Sequence, residues 1–185
     1  MKDQRKLDKH TVIALVEDRP GVLNQIASKW RQRGFNIESL AVGHSEKPGL
    51  SRMTFVVDAN TDADQVVKQL DKLVDIVDIR DISHHEMVAR ELALIKVRTS
   101  AKTRSQIIEV VHVFRANIVD VSPDSITVEV TGDEGKVDAM YELLKGFGVI
   151  ELARTGRVAL LRGGVASHPL PEQEEYERYP GQDTW

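Results

Sequence analysis

The run Thr11-Val12-Ile13-Ala14-Leu15-Val16 leads into Glu17-Asp18-Arg19-Pro20-Gly21 and then Val22-Leu23. Six almost wholly apolar residues read as a strand buried on both faces. Pro20 lies near the first helical position, where its preset φ helps and its missing N–H costs nothing. Val22, Leu23, Ile26, Ala27 and Trp30 then recur at helical spacing and predict one apolar face. Gly34 ends that helix, because a residue without Cβ accepts the left-handed conformation common there. Strand, tight turn and amphipathic helix make the first step of a domain that mixes α and β.

Working outward, Asn36 to Gly43 reads as a second strand and Glu46-Lys47-Pro48-Gly49 as a turn. Leu50 to Asp58 is a third strand, with Met53, Phe55 and Val57 on one face. Thr61-Asp62-Ala63-Asp64 starts a helix whose stripe is Ala63, Val66, Val67, Leu70 and Leu73, and Val74 to Ile82 is a fourth strand. The order is βαββαβ, and it recurs. Glu91 to Arg98 is a strand, and Thr103 with Gln106 a capping box before Ile107, Val111 and Phe114. Asn117 to Val121 and Ile126 to Val130 are strands. Val137, Met140, Tyr141 and Leu144 mark a helix, and Val149 to Ala153 a last strand. Asn36-Ile37 and Asn117-Ile118 recur 81 residues apart, each with an apolar residue three further on. The expected class is α+β, with two tandem βαββαβ domains over residues 10–84 and 85–163, joined near Ser83 to Arg90. Right-handed crossovers between parallel neighbours would put both helices of each half on one side. The other face is then left to solvent or a partner.

The 185 residues carry 25 Lys+Arg and 29 Asp+Glu, a net charge of −4, and no cysteine. Disulfides, thiolate metal sites and a cysteine nucleophile are excluded. Residues 164–185 hold five acids and one arginine, so they alone account for the −4, and residues 1–163 are formally neutral. A neutral body offers no electrostatic reason to bind nucleic acid or an anionic membrane. With Pro169, Pro171 and Pro180, the tail reads as a mobile extension. No secretory leader is read at Met1 to His10, and no apolar run has the length of a membrane span.

Asp18 to Gly21 is the most informative loop. Free N–H groups and the helix dipole favour an anion there, and Gly21 lets a carboxylate approach the backbone. The same residues also suit a plain tight turn. Asn36 can donate and accept, which suits an amino acid, or it can close its own turn. His84-His85-Glu86 reads as a solvated linker. Gly132-Asp133-Glu134-Gly135-Lys136 lacks the spacing of a phosphate loop and reads as a strand-to-helix turn capped by Asp133. No nucleophile–base set or dinucleotide fingerprint stands out, so the chain lacks an evident catalytic set.

These residues resemble a family. Glu17-Asp18-Arg19-Pro20-Gly21-Val22-Leu23 looks like the ligand loop of ACT domains, small ferredoxin-like βαββαβ modules that bind amino acids. Arg33 to Val42 and Pro48 to Thr54 are similar to the small, regulatory subunit of acetolactate (acetohydroxyacid) synthase. So are Lys72-Leu73-Val74-Asp75, Ala89-Arg90-Glu91-Leu92, Ala93 to Val97 and Ala153-Arg154-Thr155-Gly156. The resemblance implies a non-catalytic, cytoplasmic chain that dimerises through its ACT domains and binds a catalytic large subunit. Thiamine diphosphate, Mg²⁺ and FAD are expected in that large subunit, with no cofactor and no metal in this chain. The resemblance also implies activation and feedback inhibition by valine or another branched-chain amino acid. The effector would sit between two ACT domains against Asp18, Pro20, Gly21, Val22, Leu23, Asn36 and Ile37. Family members often carry Asn where this chain has Asp18. The alternative is a free-standing tandem-ACT amino-acid sensor. A nucleic-acid reader would need exposed strand aromatics, and an acylphosphatase would need an Arg-bearing glycine loop after the first strand.

Overall fold

A computed structural model describes residues 9–58 and 60–168. They form two compact units, residues 9–88 with 159–168, and residues 89–158. Residues 85–88 and 159–163, expected in the second domain of the division 10–84 and 85–163, go with the first unit. The remainder of the expected tail, residues 169–185, lies outside the described residues.

The first unit runs β1 (Lys9–Glu17), α1 (Val22–Arg33), β2 (Ile37–His44), β3 (Leu50–Asp58), α2 (Ala63–Leu70) and β4 (Ile76–Asp81). Its sheet order is β2-β3-β1-β4, and every neighbouring pair is antiparallel. The expectation of parallel neighbours is therefore corrected: β1 and β2 run parallel, but β3 lies between them. The helices still share one face. Val22, Ile26 and Trp30 of α1 and Val66 and Leu70 of α2 close one core with Val12, Ala14, Val16, Met53, Phe55 and Val57.

Three local readings change. Pro20 precedes the helix, and Gly21 is its N-cap at φ 95°, a conformation that favours glycine. Leu23 and Ala27 are exposed, so the buried stripe of α1 is narrower than its apolar pattern. Val74 is exposed ahead of β4, which starts two residues late because Asp75 is spent on holding β1.

The sheet face away from the helices is also buried at Thr11, Ile13 and Leu15. Arg52 and Asp78 both stand opposite Leu15 on this face. Arg52 Nη2 donates to the Ala159 carbonyl at 2.8 Å, and His168 Nδ1 lies 2.7 Å from Asp78 Oδ2. Ala159, Ser167 and His168 are buried. Of residues 164–168, expected as the start of a mobile extension, Ser167 and His168 thus pack on the first unit, while residues 164–166 are exposed. Burial holds the His168 imidazole below its ordinary pKa of 6.5 and outweighs Asp78, while Arg52 and Arg80 push the same way as burial. The docked form is therefore the neutral one. Its contribution is fully present above about pH 7 and falls as pH drops below 6.5, where the released imidazole takes up a proton. Urea unfolding at pH 7.5 and 5.5 should show this loss in the wild type and a smaller one in His168→Gln. Equal losses would remove His168 as its source.

The second unit contains β5 (Met87–Arg98), whose first two residues belong to the first unit, then α3 (Arg104–Val113), β6 (Asn117–Val121) and β7 (Ser125–Gly132). It continues with α4 (Glu134–Lys145) and β8 (Val149–Arg154), and the sheet order is β6-β7-β5-β8. A short β9 (Val158–Leu161), not read from the sequence, pairs with β5. The expected linker shrinks to residues 82–86, since β5 begins at Met87. Ala93, Ile95, Val97, Ile107, Val111, Val137, Met140 and Leu144 form a second core. The repeat extends to an irregularity: the register shifts between Ile37 and Ser39 and again between Ile118 and Asp120. The capping box at Thr103 is absent. Thr103 Oγ1 instead accepts from the Ser100 N–H at 2.9 Å, which closes the loop on itself. Asp133 does cap α4, accepting from the Lys136 N–H at 2.8 Å.

Candidate functional site

The loop between β1 and α1 is held from two sides. Glu17 N–H donates to the Asp75 carbonyl at 3.0 Å, and Asp18 N–H to the Gly49 carbonyl at 2.9 Å. Arg19 bridges Glu17 Oε2, at 2.6 Å from Nε, and the Asp75 carboxylate. Asp18 Oδ2 lies 3.1 Å from His44 Nδ1 at the end of β2. No side chain caps α1, and its first turn holds no acid. The N–H groups of that turn therefore face outward with the positive end of the helix dipole behind them. Such a start binds a carboxylate or phosphate without further machinery. Leu23 adds an exposed apolar rim, while Val22 turns into the core.

Asp18, Pro20, Gly21, Val22 and Leu23 are thus brought together. Asn36 and Ile37 are not with them. Ile37 stands opposite Val57, which stands opposite His10, whereas Glu17 stands opposite Leu50. Seven residues of β1 separate those rungs, roughly 24 Å at strand rise. Within one copy the two halves of the expected site occupy opposite ends of the sheet. Asn36 is exposed, and Ile37 packs partly against the core.

Sequence reasoning gave no role to Arg19 within the loop and missed His44, Lys47 and Asp75. Asp75 and Lys47 are buried, and Asp75 Oδ2 and Lys47 Nζ have no hydrogen-bond partner among the described residues. The signal for Asp75 was an acid set between the apolar pairs Leu73-Val74 and Ile76-Val77. Elsewhere, His84, His85 and Glu86 are exposed. Among the described residues no group of three or more His, Asp or Glu could hold a metal ion. Lys136 Nζ donates to the Thr131 carbonyl at 2.8 Å, as suits a turn lysine rather than a phosphate ligand. Phe55 is fully buried and offers no base-stacking surface. No helix among the described residues is long and apolar enough to cross a membrane.

Residues 13–78 match the family described as the AHAS small subunit-like ACT domain, and residues 90–163 match the small subunit of acetolactate synthase. The chain is 52% identical over 155 residues to the acetolactate synthase small subunit of Mycobacterium bovis, covering 83% of this chain and 92% of that one. It is 47% identical over 157 residues to that of Bacillus subtilis, with 84% and 91% covered. The crystal structure of the small subunit from Thermotoga maritima superposes with a TM-score of 0.79 at 41% identity, covering 86% of this chain and all of that one. Two βαββαβ units, the first with a glycine-capped helix start after β1, define a tandem α+β protein with an N-terminal ACT domain. The chain belongs to the acetolactate synthase small-subunit family.

Proposed function

We propose that this chain is the non-catalytic regulatory subunit of acetolactate synthase. It binds the catalytic large subunit in the cytoplasm, raises its conversion of pyruvate to 2-acetolactate, and subjects it to feedback by valine or another branched-chain amino acid. Thiamine diphosphate, Mg²⁺ and FAD belong to the large subunit in this reading. The observation that carries it is the uncapped start of α1 in an ACT domain of this family. The effector carboxylate takes the N–H groups of Gly21 to Leu23. Its ammonium takes backbone carbonyls or Asp18, and its branched side chain lies near the exposed rim at Leu23, with Asn36 and Ile37 contributed by a second copy.

The separation of Asn36 from the loop supports a homodimer. β2 is an edge strand, and an edge presents unpaired N–H and C=O groups to a second copy. Antiparallel pairing of two β2 edges would set the start of one β2 beside the end of the other. Such pairing would bring the partner subunit's Asn36 near His44 and the Asp18–Gly21 loop. Transmission to the large subunit is a coupling free energy, typically about 1–3 kcal/mol. Reconstitution with the cognate large subunit, titrated with valine, leucine and isoleucine, tests the proposal. Unchanged activity on adding this chain, with no response to any of the three, would sink it.

Asp18 should set effector affinity. A second carboxylate within ~6 Å of the effector's would repel it by about 0.7–3 kcal/mol at a dielectric of 80 to 20, before screening. The Asp18 side chain is 42% exposed, so solvent screens part of this repulsion. Asp18→Asn should tighten valine binding several-fold in calorimetry. Equal or weaker binding would place Asp18 on the effector ammonium.

A further inference from the structure

We infer that Asp75 is a positioning residue for the effector loop, acting through Arg19 and Glu17; this rests on the effector reading above. Asp75 holds the loop twice. Its carbonyl accepts the Glu17 N–H at 3.0 Å, and its carboxylate accepts from Arg19, whose Nε lies 2.6 Å from Glu17 Oε2. Backbone and side chain of one buried residue thereby fix residues 17 to 19, immediately ahead of the Gly21 helix start.

The second unit supplies an internal control, because it builds the same strand-to-helix step without this clamp. Arg98 N–H donates to the Gly148 carbonyl at 2.9 Å, as Glu17 does to Asp75. Thr99 N–H donates to the Asp124 carbonyl at 2.8 Å, as Asp18 does to Gly49. The strand registers agree too, with Val97 opposite Val149 where Val16 is opposite Ile76. The counterpart of Asp75 is therefore Gly148, which has no side chain. There the loop closes on itself. Ser100 N–H donates to Thr103 Oγ1, Thr103 N–H donates to Ser100 Oγ at 3.3 Å, and Arg104 reaches over to the Ser122 and Pro123 carbonyls.

The fold thus needs the two backbone hydrogen bonds and not the acid. A buried carboxylate is costly, and more so when half satisfied, as Asp75 is at Oδ2. Neither α1 nor α3 takes a side-chain cap; what the acid adds is rigidity in the loop immediately ahead of the Gly21 helix start. The clamp reaches the loop from outside, through Arg19, and adds no side-chain cap to α1. Fixing a loop before the ligand arrives removes an ordering cost from binding.

The test uses the purified full chain. Asp75→Asn keeps the shape and removes the charge. Arg19→Met breaks the clamp from its half-exposed end, and carries the test if Asp75→Asn does not fold by circular dichroism. Both variants should bind valine at least tenfold more weakly in calorimetry. Their Glu17 and Asp18 amides should exchange at least tenfold faster, with amides of α3 and α4 unchanged. Arg19→Lys, which keeps a cation, should recover most of the affinity. Wild-type affinity in folded Asp75→Asn and Arg19→Met overturns the inference, even where the amides exchange faster. No heat from the wild type with valine, leucine or isoleucine would strike the effector reading itself, and the inference with it.

Discussion

Replacing Trp30 with alanine should destabilise the first unit by about 3–5 kcal/mol, the usual cost of emptying a buried aromatic site. Trp30 is 2% exposed in the middle of the first core. It stacks on Phe55 with ring centroids 5.0 Å apart and meets Phe35 edge-on at 6.4 Å. Each such pair adds about 0.5–1.5 kcal/mol beyond the area it buries. One term opposes these: the indole Nε1 is buried without a partner among the described residues, and an unmet donor costs about 1–3 kcal/mol. Trp30→Phe gives up volume but also that unmet donor, so it should cost only about 1–2 kcal/mol. Urea unfolding followed by circular dichroism separates the two variants. At about 1–3 kcal/mol per molar of urea, the alanine variant should shift the midpoint by a molar or more. A loss below 1 kcal/mol in Trp30→Ala would mean that α1 is not anchored here. If the loop at the start of α1 holds the proposed effector, valine binding should weaken with the packing.

The packing that sets α1 was legible in the sequence, since Val22, Ile26 and Trp30 recur at helical spacing and Gly34 marks the stop. So was the α+β repeat, because periodicity and turn residues are local properties. Three features were not legible, each for a physical reason. The buried state of His168 depends on Asp78, ninety residues earlier, and no local pattern marks a lone histidine for docking. The distance between Asn36 and the Asp18 loop follows from β1 and β2 running parallel, which sets the start of β2 at the far end of the sheet from the end of β1; helical and strand periods do not report strand direction. Thr103 carries the composition of a cap but turns back to Ser100, because a threonine hydroxyl serves a loop N–H as readily as a helix one. The Asp18 to Leu23 part of the candidate site was readable from residue types. Its supports, Arg19 and Asp75, are charged residues that read as solvated until the sheet brings them together.

Glu91→Ala should lower the stability of the second unit by about 2–3 kcal/mol. Glu91 is nearly buried and accepts from both Nε and Nη2 of Arg154, at 2.7 and 2.6 Å, with Arg157 Nε at 3.8 Å. Arg154 Nη1 also reaches Asp138 at 2.6 Å, and Arg157 Nη2 reaches Glu134 at 2.7 Å. The strand ends are stitched beside them, since Leu92 N–H donates to Thr155 Oγ1 and Thr155 N–H to the Leu92 carbonyl. Two distant motifs, Ala89 to Leu92 and Ala153 to Gly156, therefore meet as one ion-pair cluster that ties β5 and β8 to α4. Removing one partner of a buried pair costs about 3–5 kcal/mol, chiefly because the other charge is left uncompensated. The lower figure is expected here because Arg154 is 29% exposed and keeps Asp138, and Arg157 keeps Glu134. Asp138 is 52% exposed, so Asp138→Asn should cost at most about 1 kcal/mol, as exposed pairs do. Amide exchange of Ile95 and Val128 reports the second core directly. Equal losses in the two variants would show that the cluster works through surface charge and not through the buried carboxylate of Glu91.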